Sequence, residues 1–328
     1  MLFKRAEELL FDDVFLELEG FAPACRAILK LEFYHPTGSI KFKTALRILS
    51  DLDDAGMLTP GAHLVESSSG NLGVALAYLC HRRGLKFSCV VDPNARPANV
   101  HLIQVFGGRI CRVTEAGAGG YLKARLDAVS AILASDPQAL WTNQYANAAN
   151  PGAHQATTAP AILRTVPIVD LLVIGAGTTG TLLGCMRHFQ AASPHTRIVA
   201  VDAVGSRTFG GPAAPRFLPG IGTGVRPPLA DEVDALGRPE LVYVDEISTV
   251  RMCRRLLEEQ GILAGASTGA VAHAMHEFAG SMPAGTVIVG IAPDGGERYL
   301  DTVFSDEWVQ ATLGDPSVEA GEMVSLSS

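Results

Sequence analysis

A chain of 328 residues, 48% hydrophobic and 18% charged, holds enough apolar material for one large or two modest packed α/β domains, which excludes a disordered protein. Its formal charge of −8 excludes a general phosphate-backbone binder, since non-specific nucleic-acid affinity needs clustered lysine and arginine, but leaves room for a small anionic substrate in a local basic pocket. Six scattered cysteines without a C-x-x-C pair, an N-terminus that soon turns acidic, and no apolar run of bilayer length predict a reduced, soluble, cytosolic protein with no zinc-ligand spacing.

In chain order, short apolar and β-branched runs predict strands at 62–66, 86–91, 109–113, 139–142, 170–174, 197–202, 241–245 and 286–291. Residues 71–83 carry apolar side chains at helical spacing and stop before Gly84, a C′ glycine. Pro97 opens the next helix and Gly107-Gly108 closes it. Residues 248–260 form a helix with a Ser248-Thr249 cap signal, ending at Gly261. The alternation predicts mostly parallel sheets covered by helices on both faces. Residues 147–152 read as a crossover between two α/β units. The loop at 205–228, rich in glycine and proline, has the length that marks functional loops. From about residue 317 the tail is polar and acidic and is expected to fray.

Four segments carry chemistry. His35-Pro36-Thr37-Gly38-Ser39-Ile40-Lys41 runs a turn signal into a lysine at a helix start. A solvated charge is the plain account of such a lysine; the same amine forms a Schiff base with a carbonyl cofactor when burial favours its neutral form. Ser67-Ser68-Ser69-Gly70-Asn71 follows a strand and opens a helix, where free N–H groups and hydroxyls suit a carboxylate, although an ordinary serine-rich N-cap has the same pattern. Gly175-Ala176-Gly177-Thr178-Thr179-Gly180-Thr181 also leads from strand to helix. Its glycines let the backbone close around a phosphate and its threonines add donors. The same stretch satisfies G-x-G-x-x-G, with Asp202 as a candidate ribose-binding acid, so a dinucleotide site stays open at this point. Gly265-Ala266-Ser267-Thr268-Gly269 is, by itself, a capped helix start.

In this order the four segments resemble the fold-type II pyridoxal-5′-phosphate (PLP) enzymes, and among them the cysteine synthase family. The resemblance covers nearly the whole chain and extends to Asn143-Gln144-Tyr145-Ala146-Asn147, Gly220-Ile221-Gly222-Thr223-Gly224 and Pro293-Asp294-Gly295-Gly296-Glu297-Arg298-Tyr299. It implies a tryptophan-synthase-β-like fold of two doubly wound, mostly parallel α/β domains. A smaller mobile domain, 39–145, then carries the carboxylate loop, and a larger one, 1–38 with 146–328, holds the PLP phosphate. Amino acids are the implied partners and a homodimer the implied assembly, without metal, nucleic acid or membrane.

Residue by residue, the resemblance makes Lys41 the Schiff-base lysine and catalytic base. Ser68, Ser69, Gly70 and Asn71 match the loop that grips the substrate α-carboxylate, and the Asn71 side chain also reaches the cofactor's phenolic oxygen. Gln144 completes the grip. Gly177, Thr178, Thr179, Gly180 and Thr181 match the phosphate loop, and Ser267 matches the residue bonded to the pyridine nitrogen. Ser68 and Leu72 depart from the family's threonines, the second with loss of a hydroxyl.

A narrower likeness lies in Gly119-Gly120-Tyr121-Leu122 with Arg125, in Thr178-Thr179-Gly180, in 201–206 and in Leu218-Pro219-Gly220-Ile221-Gly222. These resemble a branch of the family that joins O-phospho-L-serine to L-glutamate on the way to 2,3-diaminopropionate and a siderophore. The branch implies that Arg125 and Tyr145 lie at the substrate site. An arginine fork binds a carboxylate or phosphate, whereas bisulfide requires none; a solvated arginine on an amphipathic helix is the plain alternative.

The implied reaction is a β-replacement through α-aminoacrylate, with Lys41 taking the α-proton before an amine adds to the β-carbon. A neutral hydroxyl at Ser267 does not hold a proton on the ring as a carboxylate would, which suits elimination better than racemisation. The competing readings are a sulfhydrylase making cysteine from O-acetylserine or O-phosphoserine, a nicotinamide-dependent dehydrogenase built on 175–180, and a non-catalytic scaffold of the same fold.

Overall fold

The first strands laid down are β1 (Phe15–Glu17) and β2 (Arg26–Leu31), an antiparallel pair. The computed structural model describes residues 2–117, 120–314 and the backbone of 324–326. After β2 come α1 (Lys41–Asp54), β3 (His63–Ser67), α2 (Asn71–Arg83), β4 (Lys86–Val91), α3 (Pro97–Val105), β5 (Arg109–Arg112), α4 (Gly120–Ser135), β6 (Ala139–Trp141), α5 (Ala149–Ala156) and α6 (Thr158–Thr165). Then follow β7 (Leu171–Gly175), α7 (Gly180–Ala192), β8 (Arg197–Ala203), α8 (Leu229–Gly237), β9 (Glu240–Val244), α9 (Glu246–Gln260), α10 (Ala266–Ala279), β10 (Val287–Ala292), α11 (Asp306–Leu313) and β11 (Val324–Leu326).

Two units result. Met1–Leu9 and His35–Ala153 form one; Leu10–Tyr34 and His154–Ser328 form the other. The first is built on a four-stranded, all-parallel sheet of order β5-β4-β3-β6. The strands β3 and β4 are buried along nearly their whole length, as expected of parallel strands covered on both faces. The second unit holds a seven-stranded sheet of order β1-β2-β10-β7-β8-β9-β11, antiparallel where β1 meets β2 and where β11 meets β9 and parallel elsewhere. Its core joins Leu171 and Val173 of β7, Val199 and Val201 of β8 and Val271 and Met275 of α10. The fold is therefore the mostly parallel α/β architecture that the alternation predicts.

The eight expected strands are present with ends shifted by a residue or so, while β1, β2 and β11 are additions. In β2, Lys30 and Glu32 are both wholly buried and pair at 2.9 Å, with Lys30 Nζ also donating to the Asp12 carbonyl at 2.7 Å. Gly84 and Gly261 close α2 and α9 in the left-handed region, at φ 65° and 68°, as their C′ role requires. The helix expected to begin at Ser248 begins at Glu246. Its cap is Asp245, whose carboxylate accepts from Ser248 N at 2.8 Å and from Ser248 Oγ at 2.7 Å, so Ser248 serves the cap instead of being it.

The 205–228 loop has no helix or strand, yet it is pinned: Ser206 Oγ accepts from Thr208 N and from Thr223 N, each at 3.1 Å. Gly119 of the 119–125 run lies outside the described residues, as do the side chains of the acidic tail expected to fray. No helix among the described residues is long and apolar enough to cross a membrane.

Candidate active site

In the unit built on 35–153, β3 ends at Ser67 and α2 begins at Asn71, so Ser68, Ser69 and Gly70 turn from the carboxyl end of a parallel strand into a helix start. Ligands of α/β sheets bind at that end, where first-turn N–H groups have no intrahelical partner. Ser68 Oγ accepts from Gly73 N at 3.2 Å, and the Ser68 carbonyl from Cys89 Sγ at 2.8 Å. Ser69 Oγ accepts from Arg125 Nη1 at 3.3 Å, and the Ser69 carbonyl from Asn99 Nδ2 at 3.3 Å. Arg125 also pairs with Asp92 at 3.1 Å, the two side chains being only 13% and 7% exposed. Arg125 is thus no solvated helix charge but a guanidinium drawn to the serine turn.

Beneath the turn lies Glu66, a wholly buried carboxylate that sequence reasoning missed. Its Oε1 accepts from Ser67 N at 2.8 Å; its Oε2 accepts from Thr142 Oγ1 at 2.5 Å and from Gln144 N at 3.2 Å. Burial pushes this carboxyl above its ordinary range, while the hydrogen bonds, that of Thr142 foremost, pull it back. The Gln144 carbonyl accepts from Asn150 Nδ2 at 2.9 Å, and Asn150 Oδ1 accepts from Thr44 Oγ1 on α1 at 3.2 Å. One line of buried hydrogen bonds therefore joins the serine turn, Gln144 and the helix that Lys41 opens. Lys41 is half-buried, and two residues before it the buried Ser39 hydroxyl meets no partner among the described residues. Tyr145, next to Gln144, is half-buried.

In the other unit, β7 ends at Gly175 and α7 opens at Gly180 behind Thr179, which takes a left-handed φ of 64°. Thr179 Oγ1 donates to the Thr178 carbonyl at 2.7 Å. The 220–222 segment backs this turn: Gly222 N donates to the Ala176 carbonyl at 2.7 Å, and a Cβ on Gly177 would stand 3.4 Å from the Gly220 carbonyl. Gly220 has φ +112°, and a Cβ there would come within 3.2 Å of Ser267 Oγ. A side chain at 220 would thus fill the space beside that hydroxyl. Ser267, second in α10, donates to Asp294 Oδ1 at 3.2 Å. A glycine-lined helix start with threonine hydroxyls, and a serine whose flank is kept open, can hold the phosphate and the ring nitrogen of PLP. Gly177, Thr178, Thr179, Gly180 and Thr181 would hold the first, and Ser267 would meet the second.

Asp202, the acid a dinucleotide site would need, is wholly buried at the end of β8. Its Oδ1 accepts from Ala203 N at 2.8 Å, and its Oδ2 has no partner among the described residues. Burial lifts this carboxyl to about 6, against hydrogen bonds from Ser206 and Ala203 N and the charge of Arg216. Because its folded value lies above the unfolded one, its contribution to stability is fully present below about pH 4 and is lost as pH rises through about 6. At pH 8 the buried charge costs about 3 kcal/mol. Asp202→Asn is expected to stabilise the protein by about 2 kcal/mol at pH 8, allowing about 1 kcal/mol for an unpartnered amide. The gain fades toward pH 4. Melting curves of equal midpoint at pH 8 would show that the charge is relieved some other way.

Of the residues that no motif singled out, only Glu66 left a signal, as a lone acid in an apolar strand before a serine run. Asp92 and Asn99 meet Arg125 and Ser69 only through the fold, and Asp294 stands in a recognised motif without an assigned role.

The family described as "Pyridoxal-phosphate dependent enzyme" matches residues 15–294. N-(2-amino-2-carboxyethyl)-L-glutamate synthase of Ralstonia nicotianae is 42% identical over 303 residues, 91% of this chain and 87% of that protein. The protein of the same name from Cupriavidus metallidurans is 41% identical over 287 residues, 85% of this chain and 83% of that one. The crystal structure of O-ureido-L-serine synthase aligns with a TM-score of 0.85 at 31% identity, over 95% of this chain and 100% of that one. O-acetylserine-dependent cystathionine β-synthase of Helicobacter pylori follows at 0.84 and 25%, over 92% and 98%. By sequence and by fold, this chain belongs to the pyridoxal-phosphate-dependent enzymes.

Proposed function

We propose that the enzyme replaces the β-substituent of an activated L-serine, O-phospho-L-serine, with the amine of L-glutamate, giving N-(2-amino-2-carboxyethyl)-L-glutamate and phosphate. The observation that carries this reading is the 42% identity, over 91% of the chain, to a synthase named for that product. The buried Arg125 at the serine turn supports it, since a dicarboxylate nucleophile or a phosphate leaving group calls for a guanidinium and bisulfide does not.

PLP, when bound, supplies the electron sink that makes the α-proton of the amino acid removable. Lys41 holds the cofactor through Nζ and then takes and returns that proton. Ser68, Ser69, Gly70 and Asn71 grip the α-carboxylate together with Gln144, and the Asn71 amide also faces the cofactor's phenolic oxygen. Arg125 and Tyr145 orient the second amino acid. The domain of residues 39–145 moves as a body on substrate binding and excludes water, so that an amine outcompetes hydrolysis. The enzyme works as a cytoplasmic homodimer, its product leading to 2,3-diaminopropionate and a siderophore.

Mass spectrometry of reactions with O-phospho-L-serine plus either L-glutamate or bisulfide tests the reading. Only the glutamate reaction is expected to turn over quickly. Rapid cysteine formation with no glutamate adduct would make the enzyme a sulfhydrylase.

A further inference from the structure

A neutral hydroxyl at Ser267 is only half of what stands there. Ser267 Oγ donates to Asp294 Oδ1 at 3.2 Å, and Tyr299 OH donates to Asp294 Oδ2 at 2.9 Å. The three residues are 1%, 2% and 3% exposed. An ionised carboxylate only accepts, and a serine hydroxyl has a single proton to give. Once that proton points at Asp294, Ser267 Oγ has only lone pairs to offer a third group. The carboxylate is fixed in turn: Gly265 N donates to the Asp294 carbonyl at 3.0 Å, and a Cβ at 265 would collide with Asp294 Oδ1. Other titratable neighbours leave this arrangement intact. The Cys253 thiol of α9 is pushed up to about 12 by burial and stays neutral, and Arg254 beside it is engaged with Asp306.

We infer that Asp294 is a positioning residue that fixes the Ser267 hydroxyl as an acceptor toward the pyridine nitrogen of PLP, so that the ring keeps its proton. The inference rests on the proposed place of Ser267 at that nitrogen. No proton changes owner: the nitrogen keeps its own and Ser267 keeps its own, with the negative charge one hydroxyl away. The ring is then a stronger electron sink than a serine alone would leave it, yet weaker than one in direct contact with a carboxylate.

The test is ¹⁵N NMR of the holoenzyme loaded with PLP labelled at the ring nitrogen, read against protonated and unprotonated pyridine standards. The native resonance is expected near the protonated standard. Asp294→Asn and Ser267→Ala should each move it to the unprotonated one, while Tyr299→Phe, which keeps the carboxylate, should leave it in place. A native resonance at the unprotonated position overturns the inference, and this measurement needs no variant to fold. If Ser267→Ala moves the resonance and Asp294→Asn does not, the relay is wrong although the placement of Ser267 stands. If neither moves it, the placement fails as well. Product formation from O-phosphoserine and glutamate is scored separately, so a failure here is not confused with a wrong substrate.

Discussion

Lys41→Ala is expected to lower the β-replacement rate by about 10²–10⁴-fold or more while leaving the fold intact. The size of the loss follows from the two tasks proposed for one amine, holding the cofactor and moving the α-proton. The fold should survive because Lys41 is a half-buried first residue of α1, where alanine is the best helix former, and because α1 is tied to the unit through Thr44 and Asn150 at 3.2 Å. Stability should change by no more than about 0.5 kcal/mol. Borohydride reduction followed by peptide mapping is expected to find the pyridoxyl tag on Lys41 in the native enzyme and no tag in the variant. Lys43, two residues on and 3% exposed, is the amine to watch. A tag on Lys43, or one that persists in Lys41→Ala, would sink the assignment.

The second large effect belongs to Glu66. Its removal strips the acceptor from Ser67 N, Thr142 Oγ1 and Gln144 N, all buried, at about 1–3 kcal/mol for each stranded donor. Relief of a carboxylate that burial already disfavours offsets part of this. Glu66→Ala is therefore expected to destabilise the protein by about 3–5 kcal/mol, read as a lower urea midpoint. Glu66→Gln, which keeps one acceptor but turns an amide N–H toward a donor, should lose about half as much. Since the serine turn and Gln144 share this anchor, KM for the serine substrate should rise more than kcat falls. A Glu66→Ala enzyme with native KM would show that the turn is held by other means.

Sequence patterns disclosed the parts of this molecule whose causes are local. In β3, β4, β7 and β8 the apolar runs are long enough to be read as strands covered on both faces, and each chemical segment sits on a strand-to-helix turn that its own glycines and hydroxyls announce. Strand β2 escaped because Lys30 and Glu32 look like a solvated stretch until the fold pairs them at 2.9 Å, out of water. The start of α9 was misplaced because Ser248 and Asp245 are both good caps, and the carboxylate one turn earlier wins. Glu66 acquires its importance from Thr142 and Gln144, and Asp294 from Ser267, partners many residues away that no short motif contains.

The buried line from Ser67 through Glu66, Gln144 and Asn150 to Thr44 behaves as a trunk, and Arg125 with Asp92 as a side branch. The trunk keeps the carboxylate grip in register with the helix that bears the amine, whatever molecule arrives second. A descendant of this protein can exchange its nucleophile by rewriting the branch while the spacing on which proton abstraction relies is inherited unchanged. Modularity of that kind lets one scaffold supply different amino-acid products without having to rediscover the chemistry each time.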